Sequence, residues 1–129
     1  DNTVYKSFIT DVIHDLQESV SLAKKAGIAD DKIILDPGVG FGKTYEQNLE
    51  IIAKLEKLHT WGYPLLLGCS RKSVIGLTLD LPVSERLEGT LVTTAVGVLK
   101  GCSFIRVHDV KENARALRMA EAVRDYCSA

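Results

Sequence analysis

The sequence predicts an α/β domain in which three parallel strands alternate with four helices. Apolar residues recur at spacings of three and four in several stretches, the signature of amphipathic helices. Two short runs, 32–36 and 65–70, are apolar with little polar alternation, as in parallel strands covered on both faces, and 103–108 is a third short run with an apolar middle. The two kinds of segment alternate with short connections, which is the order of parallel βα units.

The first helix is read over 8–25, where Ile9, Val12, Ile13, Leu16, Val20 and Ala23 make one stripe and Gly27 is placed to cap its carboxyl end. Lys32-Ile33-Ile34-Leu35-Asp36 follows as the first strand, closed by Pro37 and Gly38. Leu49, Ile52, Ala53 and Leu55 mark a second helix over 45–59, broken by Trp61-Gly62-Tyr63-Pro64. Leu65-Leu66-Leu67-Gly68-Cys69-Ser70 is the second strand. A third helix over 83–100 stops at Gly101, and Ser103-Phe104-Ile105-Arg106-Val107-His108 is the third strand. Asp109 with Glu112 is a capping-box pattern for a last helix over 109–126. Three strands make a small sheet, and a helix with no strand before it reads as a cut rather than a start.

The 129 residues carry 46% apolar and 26% charged residues, which suits one globular domain or a piece of one. Sixteen Lys+Arg balance 17 Asp+Glu, so the chain lacks the positive footprint of a nucleic-acid or anionic-lipid binder. No apolar run approaches the roughly 20 residues of a membrane span. Asp1-Asn2-Thr3-Val4-Tyr5-Lys6 lacks the layout of a secretory signal. Cys69, Cys102 and Cys127 form neither a CxxC nor a Cys/His cluster, so neither a disulfide framework nor a zinc site is expected, and a cytoplasmic, reducing compartment is. The cysteines, Met119 and Trp61 are read as packing residues, and His14 and His59 as surface residues on helices.

Each predicted strand ends in polar residues at its carboxyl end, the edge where parallel α/β sheets and barrels bind ligands. Asp36 precedes Gly38-Val39-Gly40-Phe41-Gly42-Lys43-Thr44; Ser70-Arg71-Lys72-Ser73 ends the second strand; Arg106, His108 and Asp109 end the third. Cations beside helix N-termini favour an anionic, phosphorylated ligand. Arg106 and His108 alternate and so share a strand face. Taken singly, Asp36 before Pro37-Gly38 reads equally as a turn residue, and Ser73 equally as the N-cap of a solvated helix. The glycine run is no P-loop, because Pro37 stands five before Gly42, and no GxGxxG, because Lys43 stands in the third glycine position.

Together, Asp36-Pro37-Gly38-Val39-Gly40-Phe41-Gly42-Lys43, Ser70-Arg71-Lys72-Ser73-Val74-Ile75-Gly76 and Arg106-Val107-His108-Asp109-Val110 resemble the last three strand-end motifs of the dihydropteroate synthase family, with Ser84-Glu85-Arg86-Leu87 between them. A whole (β/α)₈ barrel needs about 250 residues. The resemblance therefore implies that residues 1–129 are the carboxyl-terminal part of a TIM barrel, with the amino-terminal half absent.

The resemblance implies condensation of (7,8-dihydropterin-6-yl)methyl diphosphate with 4-aminobenzoate, giving 7,8-dihydropteroate and diphosphate for folate synthesis. It implies that Asp36, Lys72, Arg106, Phe41 and Gly68 bind the pterin, and that Arg106 and His108 bind the diphosphate. Ser73, with Ser70 and Arg71, would meet the aminobenzoate, and Lys72, Arg106 and His108 would carry the catalysis. It also implies a Mg²⁺ cofactor whose ligand lies in the absent half, a homodimeric full enzyme, and an inactive isolated fragment. A methyltetrahydrofolate methyltransferase domain shares the barrel and an aspartate facing the pterin, but has no diphosphate to bind. A non-catalytic phosphate-binding half-barrel is the alternative from another class. A flavodoxin- or receiver-like domain lacks its acidic cluster here.

Overall fold

The computed structural model describes residues 8–59 and 61–127, with the side chain of Cys127 excepted. The reading of Asp1 to Lys6 and of the Cys127 side chain lies outside these residues. Helix α1 spans Phe8–Lys25, and its carboxyl end is closed by a Schellman arrangement. Gly27, at φ 88°, donates to the Lys24 carbonyl, and Ile28 donates to that of Ala23. Helix α2 is Tyr45–Ala53 and continues as a 3₁₀ turn at Leu55–Leu58. Strand β1 is Leu66–Leu67, α3 is Ser73–Leu79, α4 is Leu87–Leu99, β2 is Phe104–Ile105 and α5 is Val110–Cys127. Helix α4 ends like α1, with Gly101 at φ 97° donating to Val98 and Cys102 to Gly97.

Strands β1 and β2 are parallel, with Leu66 opposite Phe104 and Leu67 opposite Ile105. A parallel bridge joins Leu35 to Leu65 and brings the segment before Asp36 alongside. Its hydrogen bonds run from Leu35 N to the Pro64 carbonyl and from Leu66 N to the Leu35 carbonyl, both 2.8 Å. One face of this sheet is the core: Ile33, Leu35, Leu65 and Leu67 are buried with Val12 and Leu16 of α1, Ile51 and Ile52 of α2, and Leu55 and Leu58. Ile34 and Phe104, outside that cluster, are 49% and 46% exposed. Among the described residues, helices therefore cover one sheet face and leave the other open, where a parallel sheet ordinarily has both covered.

The α/β class and the parallel pairing agree with the sequence reading, but the counts do not. Two strands and a bridge stand where three strands were expected, because the 32–36 run pairs on one side only among the described residues, is entered through a 3₁₀ turn at Asp30–Lys32 and is cut by Pro37. Among the described residues there are five α-helices rather than four. The extra one, α3, begins at Ser73 itself; Lys72 is its N-cap, so Ser73 is not the cap residue. The helix expected over 83–100 starts only at Leu87, after a 3₁₀ turn at Val83–Glu85.

Helix α2 turns Asn48, Ile51 and Ile52 inward and leaves Leu49 outside, so the stripe read from the sequence is rotated. His14 is exposed, whereas His59 is half-buried beyond the helix, its Nε2 3.1 Å from the Lys100 carbonyl at the end of α4. Trp61 packs against the core, but Met119 is 66% exposed and is no packing residue. No helix among the described residues is long and apolar enough to cross a membrane.

The start of α2 is fixed by a capping box not singled out from the sequence. Thr44 Oγ1 accepts from Gln47 N, and the Gln47 side chain accepts from Thr44 N. Replacing Thr44 by Ala should cost about 1 kcal/mol, read as a lower urea midpoint with unchanged slope.

Candidate functional site

The sheet's open face leads into the strand ends. In the parallel register, Asp36, Leu66 and Phe104 stand level, then Gly68 and Arg106, then Ser70 and His108. Asp36 Oδ1 accepts from Gly38 N at 2.8 Å, which fixes the carboxylate at the start of the glycine loop. Its Oδ2 lies 3.9 Å from Arg106 Nη1, a charge contact rather than a hydrogen bond, so oxygen and guanidinium keep hydrogen-bonding capacity for a ligand.

The glycine loop needs its glycines: Gly38, Gly40 and Gly42 all have positive φ, at 73°, 89° and 64°. Three side chains stitch the loop down. Buried Asn48 accepts from Gly40 N at 2.8 Å, Lys43 Nζ donates to the Gly38 and Phe41 carbonyls at 3.0 Å, and Lys72 Nζ donates to the Val39 carbonyl at 2.5 Å. Lys72 Nζ also stands 4.9 Å from the centre of the Phe41 ring, a cation–π distance. Partial burial lowers the Lys72 ammonium pKa below its ordinary value, with nearby Arg106 and Lys43 acting in the same direction. Phe41 is itself 66% exposed, a flat apolar surface at the loop tip.

A cavity of about 200 Å³ is lined by Gly68, Ser70, Lys72, Arg106, Val107 and His108. Gly68 is what lets the guanidinium come so close, since a Cβ would stand 2.7 Å from Arg106 Nη2. Ser70 is buried; its Oγ accepts from His108 N at 3.1 Å and lies 2.7 Å from His108 Nδ1.

Five of the residues singled out from the sequence (Gly68, Ser70, Lys72, Arg106, His108) thus meet around one cavity, with Asp36 and Phe41 at its border. Ser70 engages His108 of the neighbouring strand end. Arg71 turns away: its Nη2 and Nε reach both carboxylate oxygens of Asp109, at 2.8 and 3.3 Å. Asp109 therefore directs its carboxylate at Arg71, and the helix it precedes starts at Val110.

Arg71 holds the Asp109 carboxyl below its ordinary value of 3.8. A carboxyl whose folded-state pKa is depressed adds stability above the unfolded value and loses it as pH falls through the folded one. Asp109→Asn should therefore flatten the acid limb of stability below about pH 4, checked by thermal unfolding from about pH 7 down to about pH 2.

Sequence reasoning missed the scaffold behind this loop. Arg71 is left-handed, at φ 57°, and is held by Thr90 Oγ1 accepting its N–H at 3.1 Å and by Arg86 Nη1 donating to its carbonyl at 2.9 Å. Arg86 Nε also donates to the Leu81 carbonyl at 3.0 Å, and a Cβ on Gly76 would overlap the Arg86 guanidinium. Thr94 and Asn113, buried and 2.6 Å apart, tie α4 to α5. Threonines four apart on an apolar helix were the available signal. Burial pushes the Cys69 thiol up to about 12 and that of Cys102 to about 11, so both are packing residues, as expected, and poor nucleophiles.

Comparison with known proteins places this rim in a family. Residues 1–108 match the family described as pterin binding enzyme. The chain is 57% identical over 124 residues to the dihydropteroate synthase of Clostridium beijerinckii, covering 95% of this chain and 46% of that protein. It is 50% identical to that of Bacillus subtilis, covering 92% of this chain and 42% of that protein. Among solved structures, a dihydropteroate synthase of Coxiella burnetii in complex with pteroic acid superposes with a TM-score of 0.90 at 41% identity, over 92% of this chain and 44% of that one. The chain thus spans less than half the length of these relatives. With its family match, its sequence identities and its fold in agreement, the chain belongs to the pterin-binding enzymes.

Proposed function

We propose that this chain supplies the substrate rim of a dihydropteroate synthase, as the carboxyl-terminal part of its (β/α)₈ barrel. The observation that carries this reading is the single cavity where the ends of β1 and β2 bring Lys72, Arg106 and His108 together, with Asp36 3.9 Å from Arg106. The pteroic acid bound by the Coxiella burnetii relative supports a pterin as the ligand class. The rest of the barrel corresponds to the part of the relatives that this chain does not cover.

In this reading Asp36 accepts from the N–H edge of the pterin's aminopyrimidine, a charge-assisted contact. Lys72 donates to the ring's acceptor atoms. The Arg106 guanidinium stacks on the flat ring over Gly68 and offers donors to the diphosphate. His108 is a second donor to the departing oxygens. The bond between the pterin methylene carbon and the diphosphate oxygen breaks, and its electron pair leaves with the diphosphate. The amine nitrogen of 4-aminobenzoate forms the new bond to that carbon and then loses a proton. No covalent protein intermediate is required, so the chain contributes positioning and leaving-group electrostatics. Exposed Ser73, at the start of α3, is assigned to the aminobenzoate carboxylate, and Arg71 supports it by shaping the loop.

Mg²⁺ is implied by the resemblance, but the residues here do not fit a metal centre. Among the described residues no three His, Cys, Asp or Glu side chains cluster to hold an ion, and the rim is mainly cationic. No step is assigned to the metal; its ligand belongs to the uncovered part of the barrel, and the full enzyme is a cytoplasmic homodimer in this reading. Alone, the chain exposes Ile34 and Phe104 on the sheet face that a whole barrel encloses, and we assign it no turnover. The test is a chimera joining this chain to the amino-terminal half of the Clostridium beijerinckii relative. It should form 7,8-dihydropteroate from the two substrates; a folded chimera without that activity contradicts the proposal.

A further inference from the structure

We propose that Ser70 is a positioning residue that fixes His108 as the neutral tautomer with its proton on Nε2, presenting that N–H to the cavity as the donor for a phosphate oxygen. The phosphate part rests on the function proposed above; the tautomer rests on hydrogen-bond accounting alone.

A serine hydroxyl has one proton to donate and two lone pairs to accept with. Ser70 Oγ accepts the His108 backbone N–H at 3.1 Å and stands 2.7 Å from the Nδ1 of the same residue. Ser70 is 7% exposed, and these are its two hydrogen-bonding contacts among the described residues.

Two assignments are open for the short contact. If the hydroxyl donates to Nδ1, its proton is used, one lone pair receives the backbone N–H, and Nδ1 is an acceptor. If Nδ1 carries the proton and donates, the hydroxyl receives twice and its own O–H finds no acceptor among the described residues. Buried polar groups are almost always satisfied, so the first assignment is the consistent one. Nδ1 is then committed, and the ring's remaining donor is Nε2–H.

His108 lines the cavity beside Arg106, so this donor belongs to the same rim as the guanidinium. A ring fixed at both its backbone and Nδ1 also needs no reorientation when charge grows on a leaving group, which is how preorganised donors contribute to catalysis. Ser70 thereby acts through His108 and need not touch the ligand.

The test is long-range proton–nitrogen correlation NMR of the imidazoles in the ¹⁵N-labelled chain at alkaline pH. With three histidines in the sequence, a His108→Gln sample assigns the signal. The expected result is a single tautomer for His108, with an unprotonated Nδ1 and a protonated Nε2. Ser70→Ala should turn this into a mixture of both tautomers, and Ser70→Thr, which keeps the hydroxyl, should restore the single form. A protonated Nδ1 in the unsubstituted chain overturns the inference without any variant having to fold. An unaltered tautomer in a folded Ser70→Ala chain overturns it as well.

Inorganic diphosphate added to the unsubstituted sample should move the His108 Nε2 signal. If the tautomer is as stated and millimolar diphosphate leaves that signal in place, the diphosphate-binding reading of the rim fails while the tautomer assignment stands.

Discussion

Arg106→Ala, introduced into the chimera carrying this chain, should lower kcat/KM for dihydropteroate formation by roughly 30- to 1000-fold. That range corresponds to about 2 to 4 kcal/mol of lost transition-state stabilisation, typical of removing one preorganised charged donor. The guanidinium is expected to do two things at once, stacking on a planar ring and donating to the leaving group. Its position over Gly68 and its long contact to Asp36 at 3.9 Å leave its donors free for both. Arg106→Lys should recover only part of the loss, because a point charge on a flexible stem restores attraction without the planar surface. The check is steady-state kinetics with both substrates varied. A decline confined to KM would assign Arg106 to uniform binding alone, and an unchanged kcat/KM would remove it from the site.

The second large effect is on stability. Gly76→Ala places a Cβ where the Arg86 guanidinium now lies, overlapping its Nη2, Cζ and Nε atoms. Arg86 must then leave the Arg71 and Leu81 carbonyls. Hydrogen bonds from a charged donor contribute about 1.5 to 3 kcal/mol each, and the better helix propensity of alanine returns up to about 1 kcal/mol. A net loss of roughly 2 to 5 kcal/mol is expected. Arg86→Ala should cost a similar amount. The double substitution should cost much less than the sum, because the methyl group added at position 76 then occupies space that the guanidinium has already vacated. A denaturant-based double-mutant cycle measures this, and simple additivity would show that the two sites do not share the contact.

The same network explains how the loop tolerates a left-handed arginine. A non-glycine residue at positive φ costs about 1 to 3 kcal/mol and persists only where its surroundings fix it. Here Thr90 takes the Arg71 N–H, Arg86 holds its carbonyl and Asp109 holds its side chain. The turn aims Lys72 back toward the glycine loop, where its ammonium meets the Val39 carbonyl. Strain in the backbone and charge at the rim are therefore parts of one arrangement.

What the sequence disclosed, and what it hid, divides along the range of the interactions. Helix α1 was legible end to end because its stripe and its Gly27 cap are local. Of helix α3 only a start near Ser73 was legible, because seven residues containing Gly76 and the β-branched Val74, Ile75 and Thr78 have weak helical propensity and form a helix through packing on α2 and α4. Strand lengths were overread because pairing depends on neighbours, and the segment at Leu35 has only Leu65 beside it among the described residues. The rim was legible because parallel strands deliver their carboxyl ends to one edge, so Asp36, Lys72, Arg106 and His108 needed only a strand order to be brought together. The supporting partners were not: Asn48 reaches Gly40 across 8 residues and Thr90 reaches Arg71 across 19, and no local pattern encodes those contacts. Ser70 shows both sides of this, since its place at a strand end was visible but its partner, 38 residues away, was not.

Asp36, Lys72, Arg106 and His108 are the residues on which the pterin and the diphosphate are proposed to lie. The most direct measurement is a crystal structure of the completed chimera with (7,8-dihydropterin-6-yl)methyl diphosphate bound. The predicted result has the aminopyrimidine edge within hydrogen-bond distance of Asp36, the ring beside Lys72 and Arg106, and the diphosphate oxygens on Arg106 and the Nε2 of His108. A ligand bound elsewhere in the barrel, with Asp36 and Arg106 still facing each other, would contradict it.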